Sequence, residues 1–118
     1  MNTPDRRKQR SHDPLVALHY QLAQARSRDG LDAVVLADDS GIVVAGAGSW
    51  AVCEELAAYA PLLAEGAAPV TDRMLACREA LDVRPLAGGA VFLCTRGSAT
   101  EESLATTARG VERILRAA

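Results

Sequence analysis

Apolar and polar positions change rhythm several times along this 118-residue chain. Leu15, Leu18, Leu22 and Ala25 recur at spacings of three and four, which predicts a helix with one buried stripe and with Gln21, Gln24 and Arg28 toward water. Asp13 offers a carboxylate to the free amides at its start, Pro14 suits the first helical position, and Gly30 supplies a left-handed stop. From Leu31 to Ala37 the pattern becomes almost continuously apolar, as in a strand covered on both faces. Asp38-Asp39-Ser40-Gly41 then breaks it, and a second strand over Ile42 to Ala45 makes a hairpin.

Gly46-Ala47-Gly48-Ser49 leads into a second helix, with Ser49 as its cap and Glu54 and Glu55 near its positive end. This helix is apolar nearly all round. Cys53, Leu56, Ala57, Ala60 and Leu63 suffice to cover a sheet, so Trp50, Val52, Tyr59 and Leu62 form a surplus that needs a second surface, either a second copy of the helix or the chain's own Glu65 to Asp72 loop. Ala51, Ala57, Ala58 and Ala60 would let two such helices approach closely. Pro61 cannot donate to the carbonyl of Ala57 and is expected to kink or end the helix.

After a Gly-Ala-Ala-Pro loop between Glu65 and Thr71, strands are expected over Met74 to Glu79 and Leu81 to Leu86. One long strand, or a short helix over Asp72 to Leu81, also fits that stretch. Pro85 places the end of the second of these strands, or a sheet edge, at that residue. Ala87-Gly88-Gly89 is a turn, and Ala90 to Thr95 is another strand of central type. Ser98-Ala99-Thr100-Glu101 matches a capping box, so the last helix opens near Ala99 and sets Leu104, Ala108, Val111 and Leu115 on the core. Gly110 in its middle predicts a close neighbour.

The order α-β-β-α-β-β-β-α describes an α/β (α+β) sandwich around a central five-stranded antiparallel sheet, with the first and third helices on one face and the second on the other. Residues 1–13 form a polar, basic segment expected to be disordered, and 14–118 form one domain.

The Leu31 to Leu36 strand, the acidic Asp38-Asp39-Ser40-Gly41 turn, the Ile42 to Ala45 strand, the Glu54-Glu55-Leu56-Ala57-Ala58 helix and Val83-Arg84-Pro85-Leu86 before Gly88-Gly89 together resemble the Roadblock/LC7 family. In bacteria such domains often sit beside, and act on, Ras-like GTPases. The resemblance implies a homodimer formed through the second helix and an adjoining strand. It implies a non-catalytic interaction module that regulates or scaffolds a Ras-like small GTPase. The expected dimer or partner interface comprises Trp50, Val52, Glu55, Tyr59, Leu62, Met74 and Arg78.

Composition narrows the chemistry. A formal charge of −2 gives no general attraction to phosphate backbones, so nucleic acid is not an expected partner. The one concentrated basic run is Arg6-Arg7-Lys8-Gln9-Arg10, read first as a solvated segment and second as a membrane or partner contact. Cys53, Cys77 and Cys94 form no CxxC pair and sit in apolar contexts, which suits small core residues in a reducing, cytoplasmic compartment rather than a disulfide frame or metal knuckle. No apolar run approaches the length of a membrane span, and no signal peptide is evident.

Candidate catalytic groups are sparse. His19 lies beside Gln21 and Gln24 and is expected at the surface; the other histidine, His12, falls in the basic segment. No nucleophile elbow, Walker loop or zinc-protease helix occurs, so neither an enzyme activity nor a cofactor is expected. Asp38 and Asp39 lack the third oxygen ligand of a divalent metal site and read as turn residues. Arg73, Arg78 and Arg84 lie near the expected partner face. The alternative function is a small-ligand or nucleotide sensor whose Gly46-Ala47-Gly48 loop meets the start of the second helix. Against it, a dinucleotide loop follows the first strand of a parallel unit, whereas this one follows the return arm of a hairpin.

Overall fold

The computed structural model describes residues 13–66 and 80–117. Helix α1 (Pro14–Asp29) opens on Asp13, whose carboxylate accepts from the amides of Leu15 at 3.1 Å and Val16 at 3.3 Å. It closes on Gly30 at φ +63°. Leu18, Leu22 and Ala25 are buried as the periodicity requires, but Leu15 is 50% exposed. Leu15, the outermost residue of the stripe, takes no part in the core cluster that Leu18 and Leu22 join.

Strands β1 (Ala33–Asp38) and β2 (Val43–Ala47) form the expected hairpin. Asp38 makes the turn: its carboxylate accepts from Ser40 N at 2.9 Å and Ile42 N at 3.0 Å, while Gly41 takes φ +83°. Helix α2 (Trp50–Ala64) follows. Strands β3 (Leu81–Leu86) and β4 (Val91–Arg96) flank a 3-10 turn over Ala87–Gly89, and α3 (Glu101–Ala117) completes the described chain.

The sheet is antiparallel throughout, in the order β2-β1-β4-β3. Among the described residues it has four strands rather than five, and the strand expected over Met74 to Glu79 lies outside them. The central pair is β1 and β4, in register from Ala33 opposite Arg96 to Asp38 opposite Val91. Both are buried on two sides because each face carries helices. Leu18 and Leu22 of α1 and Ala108 and Val111 of α3 pack with Val34, Leu36 and Leu93 on one face. Cys53, Leu56, Ala57 and Ala60 of α2 pack with Ala33, Val35, Ala37, Phe92 and Cys94 on the other.

Four local expectations are corrected. Pro61 does not end α2, which runs to Ala64; the Ala57 carbonyl that Pro61 cannot serve lies against the Gly41 turn, where a Cβ would stand 3.4 Å from it. Ser49 precedes α2 but its hydroxyl makes no capping bond, and Glu54 and Glu55 fall beyond the first turn, where the helix dipole acts weakly. The cap of α3 is Thr100, whose hydroxyl accepts from Ser103 N at 3.1 Å, two residues later than the Ser98 box predicts. Gln21 is not turned to water. It packs over Gly110, the close neighbour which that glycine predicted.

Candidate functional site

The face of α2 turned away from the sheet is the most distinctive surface of the described chain. At about 100° per residue, the buried Cys53, Leu56, Ala57 and Ala60 occupy one side and Ala51, Ala58 and Leu62 the opposite one. Ala51 and Ala58 are exposed two turns apart, and Leu62 beside them is 37% exposed. This crest has apolar residues on both flanks.

On the β2 flank stands Trp50, 54% exposed, next to Ile42 at 61%. Gly41, Ile42, Val43, Trp50 and Glu54 line a shallow open groove of about 280 Å³ there. The hairpin turn bounds it on one side, with Gly41 against the α2 backbone at Ala57 and Ala58 and the next residue, Ile42, exposed. On the other flank, Val52 and Tyr59 are half-buried and, like Leu81 and Val83 of β3, pack against the α2-side core. Tyr59 donates its hydroxyl to the Glu55 carboxylate at 2.6 Å, one helical turn away, which fixes both side chains along the rim.

Five of the seven expected interface residues therefore lie on one continuous surface: Trp50, Val52, Glu55, Tyr59 and Leu62. Met74 and Arg78 lie outside the described residues, as do Arg73, Cys77 and His12. Ile42 was not anticipated. A β-branched residue opening a strand reads as core, and only the docking of the turn on α2 turns it outward.

Arg84, expected near this face, lies on the other side of the sheet: it stands opposite Leu93 of the α1–α3 core and reaches the start of α3. Arg84 donates to both carboxylate oxygens of Glu101, at 2.6 and 2.9 Å, and to Asp82 at 2.9 Å. Those bonds raise the guanidinium above its ordinary range and hold the Glu101 carboxyl below its own. A side chain pinned by two carboxylates is not poised to reach into another protein's active site.

Other candidate chemistry resolves into structural roles. The His19 ring is half-buried, with Nδ1 3.1 Å from the Gly46 carbonyl and 3.4 Å from the Gly46 amide. It covers the outer backbone of the edge strand β2, so it is less a surface histidine than an edge cap. Gly46 itself has its space filled by Cys53, whose Sγ would lie 3.0 Å from an added Cβ. At Gly48 a Cβ would meet the Asp32 carbonyl oxygen at 2.7 Å. Both glycines of the loop serve close packing within the chain, which removes the support for a phosphate cradle there. Burial pushes the Cys94 thiol up to about 12 and also raises Cys53, as inert core thiols require. The Asp38 carboxylate is occupied by two turn amides, and among the described residues no three His, Cys, Asp or Glu side chains gather to hold a metal ion.

Three helices on a β2-β1-β4-β3 antiparallel sheet, two on one side and one on the other, match known structures over most of the chain. MglB of Myxococcus xanthus aligns with a TM-score of 0.60 and 13% identity over 90% of this chain and 92% of its own. The gliding protein MglB from Thermus thermophilus aligns with a TM-score of 0.64 and 16% identity, over 90% and 93%. The chain has the MglB fold. That is a Roadblock/LC7-type fold, as the hairpin and the following helix suggested. No protein-family model matches the sequence, and no curated protein matches it either. Identity at this level carries the backbone plan of the MglB fold and leaves the chemistry of its surfaces to be argued from this chain's own residues.

Proposed function

We propose that this chain is a non-catalytic regulator or scaffold of a Ras-like small GTPase, acting as a homodimer paired across α2. The observation that carries the reading is the apolar outer face of α2. Leu62 and Trp50 are exposed at 37% and 54% beside the small Ala51 and Ala58. Small residues at a helix crest admit a second helix, and the large apolar flanks gain by being removed from water. MglB proteins are regulators of the Roadblock/LC7 type, and the shared fold supports the same class of partner here.

In this reading the paired α2 helices and the adjoining sheet edges present a surface to the GTPase, contacting its mobile switch regions and biasing its nucleotide state. The chain supplies shape and apolar contact rather than a reacting group, consistent with Arg84 being held by Glu101 and Asp82. A cytoplasmic location follows from such a partner. Among the described residues no helix is long and apolar enough to cross a membrane.

Light scattering tests the pairing: a mass near twice the monomer's is expected, falling to one monomer in Leu62→Glu. A monodisperse monomer at micromolar concentration overturns it. Phosphate release by a small GTPase, measured with and without the chain, tests the second half. No change in hydrolysis, nucleotide exchange or co-elution rejects the regulator reading while leaving the dimer standing.

A further inference from the structure

A second exposed apolar surface lies on the opposite side of the sheet from α2. Leu15, Val16 and Tyr20, in the first two turns of α1, are 50%, 45% and 60% exposed. Val16 and Tyr20 point away from the buried Leu18, Leu22 and Ala25, while Leu15 sits at the margin of that buried side, in the first turn of the helix. The stripe explains why Leu18 and Leu22 are in the core; it gives no reason for Val16 and Tyr20 outside it, nor for Leu15, which belongs to it, remaining half exposed.

The charge around this patch is one-sided. The twelve residues before Asp13 hold four of the chain's thirteen Lys and Arg residues (Arg6, Arg7, Lys8 and Arg10) and one of its fifteen acidic residues, Asp5. That stretch is therefore formally +3 and the remainder of the chain −5. From Pro14 to Arg28, α1 contains no carboxylate. Asp13, at the join, has its carboxylate engaged by the Leu15 and Val16 amides. A concentrated positive run thus leads, through the capping Asp13, into the exposed Leu15, Val16 and Tyr20 of a helix with no carboxylate of its own before Asp29, on a chain that is otherwise acidic.

We propose that this end of α1, together with the Arg6 to Arg10 run, docks on an anionic lipid surface. The basic side chains would meet the headgroups, and Leu15, Val16 and Tyr20 would enter the interface. Stable peripheral attachment takes two signals, and each is present here: a polybasic segment and a set of partly inserted apolar side chains. Nucleic acid fits less well, because its recognition by basic segments draws on aromatic stacking and polar contacts and has no use for exposed Leu and Val. The docking face lies across the sheet from α2, so a chain held at a membrane keeps α2 open to protein partners; the inference stands whether or not the GTPase reading does.

The test is sedimentation of the full chain with vesicles of phosphatidylcholine alone or of phosphatidylcholine mixed with phosphatidylglycerol. Binding to the anionic vesicles at least about tenfold tighter than to neutral ones is expected, weakening as salt rises. Arg6→Gln with Arg7→Gln should weaken it about thirtyfold, the equivalent of about 1 kcal/mol for each charge. Leu15→Ser with Tyr20→Ser should weaken it about tenfold or more, with an unchanged melting curve because both side chains are already at least half exposed. The proposal is overturned by equal binding to both vesicles, or by apolar variants that bind as the parent does. It is also overturned if a single-stranded RNA oligonucleotide binds the chain and displaces it from the anionic vesicles, since the basic run would then serve nucleic acid.

Discussion

Gln21 of α1 lies directly over Gly110 of α3, so that a Cβ at residue 110 would stand 2.6 Å from the Gln21 side-chain nitrogen. The contact sets how closely the two helices on that face approach. At their other end Arg28 donates to Thr107 Oγ1 at 2.9 Å and Ser103 donates to Asp29 at 2.8 Å. Because the obstructing atoms belong to the far end of a flexible side chain, Gly110→Ala should leave stability within about 0.5 kcal/mol of the parent, the gain in helix propensity offsetting the displaced amide. Gly110→Leu, which must spread the helices, should cost about 1–3 kcal/mol in urea unfolding.

Gly48 is a stricter position. It holds φ +112° with backbone atoms of Asp32 and Ala33 within 2.7–3.2 Å of an added Cβ, and backbone cannot swing away. Gly48→Ala is expected to cost about 2–3 kcal/mol, read as a lowered melting temperature. Gly88→Ala is the control: its φ is also positive, at +69°, but nothing lies within 4 Å, so its cost should stay near 1 kcal/mol.

Acid should loosen the pairs that tie α3 to the rest of the chain. The Arg28 hydrogen bond holds the Asp29 carboxyl below its usual range, and Arg84 does the same for Glu101. A depressed carboxyl adds stability that is present above its unfolded pKa and is lost as pH falls through the folded one. Thermal melts should therefore be flat from neutrality down to about pH 4 and fall below it. The acid slope should shrink in Asp29→Asn; an unchanged slope would show that the Arg28 pair contributes nothing.

The buried thiols act at the other end of the scale. Burial pushes the Cys94 thiol up to about 12 in the folded chain, well above an unfolded cysteine. Between those values the unfolded chain has lost a proton that the folded chain keeps, so stability should decline from about pH 8.5 upward. Peptide mapping after brief iodoacetamide treatment at pH 8 should find Cys53 and Cys94 unmodified until denaturant is added.

Trp50 is the chain's single tryptophan, and it stands 54% exposed on the proposed pairing face. Its emission should shift to the blue as concentration rises through the dimerisation range, with no shift in Leu62→Glu. Emission that stays fixed while light scattering reports a dimer would move the contact to another surface.

Much of the fold was legible from residue order alone, because several elements are specified by neighbours within a few positions. Asp13 and Pro14 start α1, Gly30 ends it, Asp38 and Gly41 make the hairpin, and Leu81 to Leu86 form a strand with the bounds their pattern implies. The apolar runs of β1 and β4 likewise announced strands buried on both faces. What only the tertiary structure decided is which apolar residues stay outside. Leu15 fits the buried stripe of α1 yet stays half exposed, Ile42 reads as the opening of a strand yet precedes β2 and is turned out beside Gly41, and Pro61 remains helical with the Gly41 turn against the carbonyl it leaves without a donor. Periodicity records which side of an element is apolar; how far the neighbouring element extends over that side is a long-range property, and it is what distinguishes core from contact surface here.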